Sequence, residues 1–220
     1  MSLVPDPAVI AANLARIRSE IGPGVEILAA TKYVDTDGMQ ALLEAGVTLV
    51  GENRSDALAA KQALFADSFA WDFIGHLQSR KVRDVVGRVR LIHAVDSLSV
   101  CAQIDLRASQ PVDCLLQVNV AGEQSKAGVA PDQADQFLQQ AAEFGSVRFC
   151  GLMTMPPLAV QPGEAAPWFA ALRELRDVLA PNWSGRHELT QLSMGTSQDY
   201  AVAAQEGATI VRLGSVLLKR

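Results

Sequence analysis

Val25-Glu-Ile-Leu-Ala-Ala-Thr-Lys32 is an apolar run that ends on a lysine and continues as Tyr33-Val34-Asp35. Its composition predicts a buried strand from Val25 to Ala30. An ammonium group at the end of such a strand is costly unless it has a task or a partner, because burial favours the neutral amine. A neutral lysine amine is a nucleophile that forms a Schiff base with a carbonyl compound. The other reading is that Lys32 leaves the strand end for solvent, as long basic side chains readily do.

Working outward, Ala8 to Glu20 places Ile10, Leu14, Ile17 and Ile21 at helical spacing, and Gly22-Pro23-Gly24 stops the pattern. After Lys32, Asp35 or Thr36 can cap a helix that ends at Gly46, and Val47 to Val50 reads as a second strand opening into Gly51-Glu-Asn53. The alternation then repeats. Strands are expected at Trp71 to Ile74, Arg90 to Ala94, Cys114 to Val120, Arg148 to Met153, Glu188 to Leu192 and Ala208 to Leu213. Between them lie an alanine-rich helix from about Asp56, an amphipathic basic stretch from Ser79 to Val86, and helices to Arg107, over Pro131 to Phe144, Ala165 to Leu179 and Gln198 to Gln205. Eight strand–helix units without a composition break predict an α/β fold, one (β/α)8 TIM barrel spanning residues 1–220 as a single domain. A doubly wound sheet would want a glycine-rich turn after the first strand, and no Gly-x-Gly-x-x-Gly follows Val25 to Ala30.

With 49% hydrophobic and 20% charged residues, the chain groups with ordinary globular proteins. Its net charge of −5 argues against non-specific nucleic-acid binding, which needs a basic face. No run approaches the ~18 apolar residues of a membrane span, and Met1 to Pro7 lacks a basic, then apolar, leader pattern. A soluble, cytoplasmic protein is expected. Cys101, Cys114 and Cys150 have no zinc spacing to His76, His93 or His187 and read as buried free thiols, with no metal.

In such a barrel the site lies at the C-terminal ends of the strands. The residues expected there include Lys32, Asn53, His76, Ser193-Met194-Gly195-Thr196-Ser197, Arg212, Gly214 and Ser215. Small residues after the last two strands let backbone N–H groups point at an anion, and Ser197 is expected to begin a helix whose dipole favours negative charge. Arg212 precedes this glycine on the strand itself. An inward arginine needs a partner, either a carboxylate or a ring nitrogen. Asn53 is either a cofactor contact or a turn cap, and His76 either a base or a loop hydrogen-bonder. Lys126, in a polar loop, is a second candidate for an imine.

Ala29-Ala-Thr-Lys32, Gly51-Glu-Asn53, Phe73-Ile-Gly-His-Leu-Gln78, Gly151-Leu-Met153, Leu192-Ser-Met-Gly195 and Val211-Arg-Leu-Gly214 together resemble the YggS/PROSC family of pyridoxal phosphate homeostasis proteins. The resemblance implies the barrel of the alanine racemase N-terminal domain, fold type III of pyridoxal phosphate proteins. It implies pyridoxal 5′-phosphate (PLP) held by a Lys32 Schiff base, with Asn53 near the ring, Arg212 at the ring nitrogen, and Ser193, Gly195, Thr196, Gly214 and Ser215 at the phosphate. It also implies a role in intracellular vitamin B6 homeostasis without established turnover, with apo PLP-dependent enzymes as conceivable recipients. The family often carries another residue where this chain has Thr196. The sequence following the last strand, Val216-Leu-Leu-Lys-Arg220, also departs from the pattern.

Two readings follow. In the first the chain binds and delivers PLP as a monomer, because a barrel without an added domain leaves one face of the ring open, without a second base or water exclusion. In the second it is an enzyme, either a PLP-dependent racemase of low activity or a cofactor-free Schiff-base aldolase. The aldolase would need a proton shuttle near Lys32, for which Tyr33 and Glu52 are the neighbours.

Overall fold

The computed structural model describes residues 5–123, 126–157 and 161–219. The first half of the chain runs α1 (Pro7–Ile21), β1 (Glu26–Ala30), α2 (Thr36–Glu44), β2 (Leu49–Glu52), α3 (Ser55–Phe65), β3 (Ala70–Phe73), β4 (Leu91–Val95) and α4 (Leu98–Arg107). The second half runs β5 (Val112–Gln117), α5 (Ala134–Ala141), β6 (Val147–Met153), α6 (Ala166–Trp183), β7 (Gln191–Ser193), α7 (Tyr200–Gln205), β8 (Ile210–Leu213) and α8 (Ser215–Leu218). The strands pair in parallel in chain order, and β8 returns to β1 to close the barrel. The fold is the expected (β/α)8 barrel. Among the described residues no helix is long and apolar enough to cross a membrane.

Local chemistry explains the boundaries. Asp6 caps α1 by accepting from the Ala8 N–H at 2.9 Å, and Pro7 occupies the first turn, where a missing N–H costs nothing. Ile10, Leu14, Ile17 and Ile21 then form the buried stripe. At the far end Gly22 takes φ +80° and returns its N–H to the Arg18 carbonyl. The second strand starts at Leu49 rather than Val47, because the Val47 N–H still bonds the Leu42 carbonyl and closes α2. β7 likewise starts at Gln191 rather than Glu188, since the Thr190 N–H turns back on the Glu188 carbonyl. The basic stretch after β3 is a 3-10 helix, Ser79–Asp84, with Val82 buried. The helix expected from Gln198 begins only at Tyr200, because Asp199 draws the Thr196 N–H into a turn at 2.6 Å.

Two layers of core follow from the alternation of side chains along each strand. Inside the barrel lie Leu28, Leu49, Leu91, Leu115, Met153 and Ile210. Outside, between strands and helices, lie residues such as Val50, Phe73, Ile92, Leu116, Phe149, Leu192 and Val211. Burial of each such side chain is worth about 1.5–3 kcal/mol relative to exposure. The same alternation puts Asp72, His93, Ser193 and Arg212 inside, all buried. All three cysteines are buried and free, and burial pushes the Cys101 and Cys150 thiols up to about 12.

His187 is packed edge-on against Phe149, with ring centroids 5.5 Å apart, and its Nδ1 accepts from the Phe149 N–H at 3.3 Å. Burial and the neighbouring Arg186 charge lower its pKa from 6.5 to about 4.

Between pH 6.5 and 4 the unfolded chain therefore takes up a proton that folded His187 refuses, so stability falls as the pH falls through this window. Urea unfolding as a function of pH is expected to show this slope, and His187→Gln to flatten it by one proton's worth. Close packing makes a second test. A Cβ on Gly151 would lie 2.0 Å from the Gln191 carbonyl oxygen, driving β6 into β7. Gly151→Ala is expected to cost at least ~2 kcal/mol by chemical denaturation. Gly145→Ala, which meets nothing within 4 Å, is expected to be neutral.

Candidate functional site

The C-terminal ends of the strands open into a cavity of about 1310 Å³. Lys32 reaches its wall one residue beyond Thr31, and its ammonium sits 4.8 Å from the centroid of the exposed Tyr33 ring. Lys32 is itself exposed, so the argument from burial at a strand end does not apply to it. That argument belongs to Lys61 on α3, which the sequence did not single out. Its Nζ donates to the Thr31 carbonyl at 2.7 Å and pairs with the fully buried Glu52. Thr31 Oγ1 donates to the same carboxylate at 2.8 Å, and the other Glu52 oxygen accepts from the Asn53 N–H at 3.1 Å. This cluster ties the exits of β1 and β2 together. Lys32 and Asn53 follow its two anchor residues and both line the cavity.

Beside them, Gly214 and Ser215 after β8, Arg212 on β8, which pairs with β1, and Thr196 and Ser197 after β7 contribute the polar wall. Ser197 Oγ accepts from the Gly214 N–H at 3.0 Å and the Val216 N–H at 3.3 Å, so two backbone donors converge there on an oxygen from a side chain. Gly195 has φ +89° and lies so close to α7 that a Cβ would come within 2.5 Å of the Ala203 Cβ. It shapes the turn from below.

Arg212 is buried, and among the described residues no carboxylate pairs with it. Its Nη2 donates to the Thr154 carbonyl at 2.9 Å and contacts Met155 Sδ at 2.7 Å, and its Nη1 donates to Ser193 Oγ. Burial lowers its pKa to about 10, against the opposing pull of the Asp199 charge. It still carries a positive charge at neutral pH.

Not every expected site residue reaches this cavity. Met194 follows inward-facing Ser193 and so points outward into the core between barrel and helices. His76 is exposed in the loop after β3, 3.9 Å from the Asp96 carboxylate and outside the cavity lining. Ser193 lies below the cavity, bonded to Arg212 and to His93. Lys126 is exposed in the loop after β5 and does not line the cavity. A helix dipole at Ser197 is also absent, since α7 begins at Tyr200. Beneath Arg212, His93, which the sequence places at a strand end and reads as structural, joins Ser193 in one hydrogen-bonded row with Asp72 and Arg90, which the sequence reading missed. The available signal was a carboxylate and an imidazole set within the apolar strands Trp71-Asp-Phe-Ile74 and Leu91-Ile-His-Ala94. Buried polar groups of this kind are paired.

The sequence matches the family described as alanine racemase, N-terminal domain, over residues 6–219. It is 38% identical over 196 residues to a protein of Aquifex aeolicus named pyridoxal phosphate homeostasis protein, covering 87% of this chain and 85% of that one. It is similar to PipY of Synechococcus elongatus without PLP, with a TM-score of 0.88 at 33% identity, covering 96% of this chain and 100% of the other. Against PipY with PLP bound the TM-score is 0.86 at 32% identity, with the same coverage of both chains.

Removing the cation from the Glu52 cluster leaves a carboxylate buried without its partner. Lys61→Met is expected to cost about 3 kcal/mol of unfolding free energy in urea. Adding Glu52→Gln to that variant is expected to recover part of the loss, because the orphaned charge is then gone.

Proposed function

The chain belongs to the alanine racemase N-terminal domain family, among the pyridoxal phosphate homeostasis proteins, and on that premise we propose that its cavity holds pyridoxal 5′-phosphate through Lys32. The observation that carries this reading is Arg212, a buried cation without a carboxylate on the wall of a cavity that also presents a lysine amine. A donor-only guanidinium suits an unprotonated ring nitrogen. The Ser197 and Ser215 hydroxyls suit a phosphate, at a place where the Gly214 and Val216 N–H groups already converge on an oxygen, that of Ser197. At Gly214 a Cβ would meet nothing within 4 Å, so that edge is open to a ligand. The cavity also exceeds the roughly 300–1,000 Å³ of ordinary small-molecule sites, so the residues present fit the group.

When bound, the cofactor supplies an aldehyde for a lysine amine and a ring that can accept electrons. The chain's residues govern the rest. Lys32 is exposed on the cavity wall, so an incoming carbonyl can reach its amine. Arg212 would donate to the ring nitrogen and keep it unprotonated, which would make the ring a weaker electron acceptor. Asn53 lies at the Lys32 edge of the cavity, where its amide can bond the ring's phenolic oxygen. Tyr33, the phenol beside Lys32, is 87% exposed and is not held as a second base. Lys32, Tyr33 and Met155 at the mouth are exposed, so water can reach it. These features favour binding and release over turnover. The proposal includes a single unit over residues 1–220, a cytoplasmic monomer, and apo PLP-dependent enzymes as recipients.

After incubation with PLP and removal of excess, the wild type is expected to show a visible absorption band that Lys32→Ala lacks and Lys126→Ala keeps. A band that persists in Lys32→Ala would refute the assignment of the anchor. Solvent deuterium entering the α-position of added alanine would favour a racemase, and none is expected.

A further inference from the structure

The row of polar groups inside the barrel has a direction. Arg212 can only donate, so Ser193 Oγ accepts from its Nη1. The Ser193 proton is then available to His93 Nδ1, 2.9 Å away, provided that this nitrogen is unprotonated. The imidazole proton sits on Nε2 and donates to Asp72 Oδ2 at 3.0 Å. Arg90 closes the row by donating Nε to Asp72 Oδ1 at 3.0 Å and Nη2 to Oδ2 at 2.9 Å. It also grips Glu26, at the N-terminal end of β1, through two bonds of 3.0 and 2.9 Å. The other neutral tautomer would turn a bare Nε2 lone pair toward a carboxylate and leave the serine proton without its acceptor. An imidazolium would put a third cation between two arginines.

We propose that His93 is a positioning residue: through Ser193 it fixes the orientation of Arg212 toward the cofactor ring, while Arg90 and Asp72 fix the tautomer of His93. This rests on the reading of the cavity as a PLP site. His93 is fully buried and does not line the cavity, so it acts only through its neighbour. Ser193, on this account, serves the ring end of the cofactor rather than the phosphate end. The pKa values agree with the geometry. Burial lowers that of His93, helped by the charges of Arg212 and Arg90 and opposed by Asp72. Burial works to raise that of Asp72, but the hydrogen bonds from His93 and Arg90 prevail and hold it below the usual carboxylate range.

The test has two readouts. Nitrogen-15 NMR of the histidine-labelled wild type without cofactor, with His93→Asn identifying the signal, is expected to show at pH 7 a neutral ring protonated on Nε2. A ring protonated on Nδ1, or on both nitrogens, overturns the proposal. The second readout is Ser193→Ala loaded with PLP, its urea midpoint measured in parallel. The absorption or emission maximum of the bound cofactor is expected to shift from that of the wild type. Retention of the cofactor is expected to fall about tenfold, the worth of one hydrogen bond to a charged group. A lower urea midpoint with the wild-type spectrum and retention is what a merely structural serine would give, and it overturns the proposal. Absence of any band in the wild type overturns the PLP reading itself. It is distinguishable because the NMR result needs no cofactor.

Discussion

A guanidinium buried on the cavity wall, with no carboxylate to pair with it among the described residues, is the constraint around which this structure is arranged. Arg212 cannot shed its proton at neutral pH, and each of its donors has to be met. The Thr154 carbonyl, Met155 sulfur and Ser193 hydroxyl meet some of them with neutral acceptors, which satisfy the hydrogen bonds but leave the charge uncompensated. Burying a charge in this way is tolerable at the end of a row of dipoles, and less so in an apolar core. Hence the barrel interior is apolar on Leu28, Leu49 and Leu115, and polar along the row that leads from Arg90 to Arg212.

Strand alternation separates two kinds of polar residue at the same rim. At the exits of β1 and β2, Thr31 and Glu52 meet Lys61 from α3, whereas Lys32 and Asn53, one position on, line the cavity. The first set fixes backbone and the second faces the cavity. The cluster keeps two strand exits together, and so carries stability next to Lys32, which is exposed. The same rule operates at β7, where Ser193 turns inward to Arg212 and Met194 outward to the helices.

The alternation of eight apolar runs with amphipathic stretches made the barrel legible, because each run is the length of a strand and each break carries a cap or a glycine. The positions of Lys32, Arg212 and the Gly214-Ser215 turn were legible for the same reason, since they lie within two residues of strand ends. What stayed hidden depended on three-dimensional partners. Lys61 sits in an alanine-rich helix, where nothing local distinguishes a lysine that pairs with a buried carboxylate from one that is solvated. Asp72 and His93 are 21 residues apart and signal each other only once β3 and β4 lie side by side. Met194 and His76 were read as site residues from a contiguous motif, but a motif that crosses a strand end contains both inward and outward positions. The late start of α7 had its own cause in Asp199, whose carboxylate captures the Thr196 N–H before the helix can use it.

In the proposed reading, the charge and the openness of the site work in one direction. A guanidinium held by neutral acceptors donates to a ring nitrogen and leaves that nitrogen unprotonated, so the ring stabilises negative charge poorly. A rim on which Tyr33 and Met155 are exposed lets water and other amines reach the lysine. Turnover requires a protected intermediate and a second positioned base, and both features oppose that. Retention and exchange require only an anchored amine, a cradle for an anion, and a ring contact that does not activate. The His93 row would bear on the last of these, because on the proposed account it sets which way the buried Arg212, unpaired with a carboxylate among the described residues, points, without adding a charge of its own.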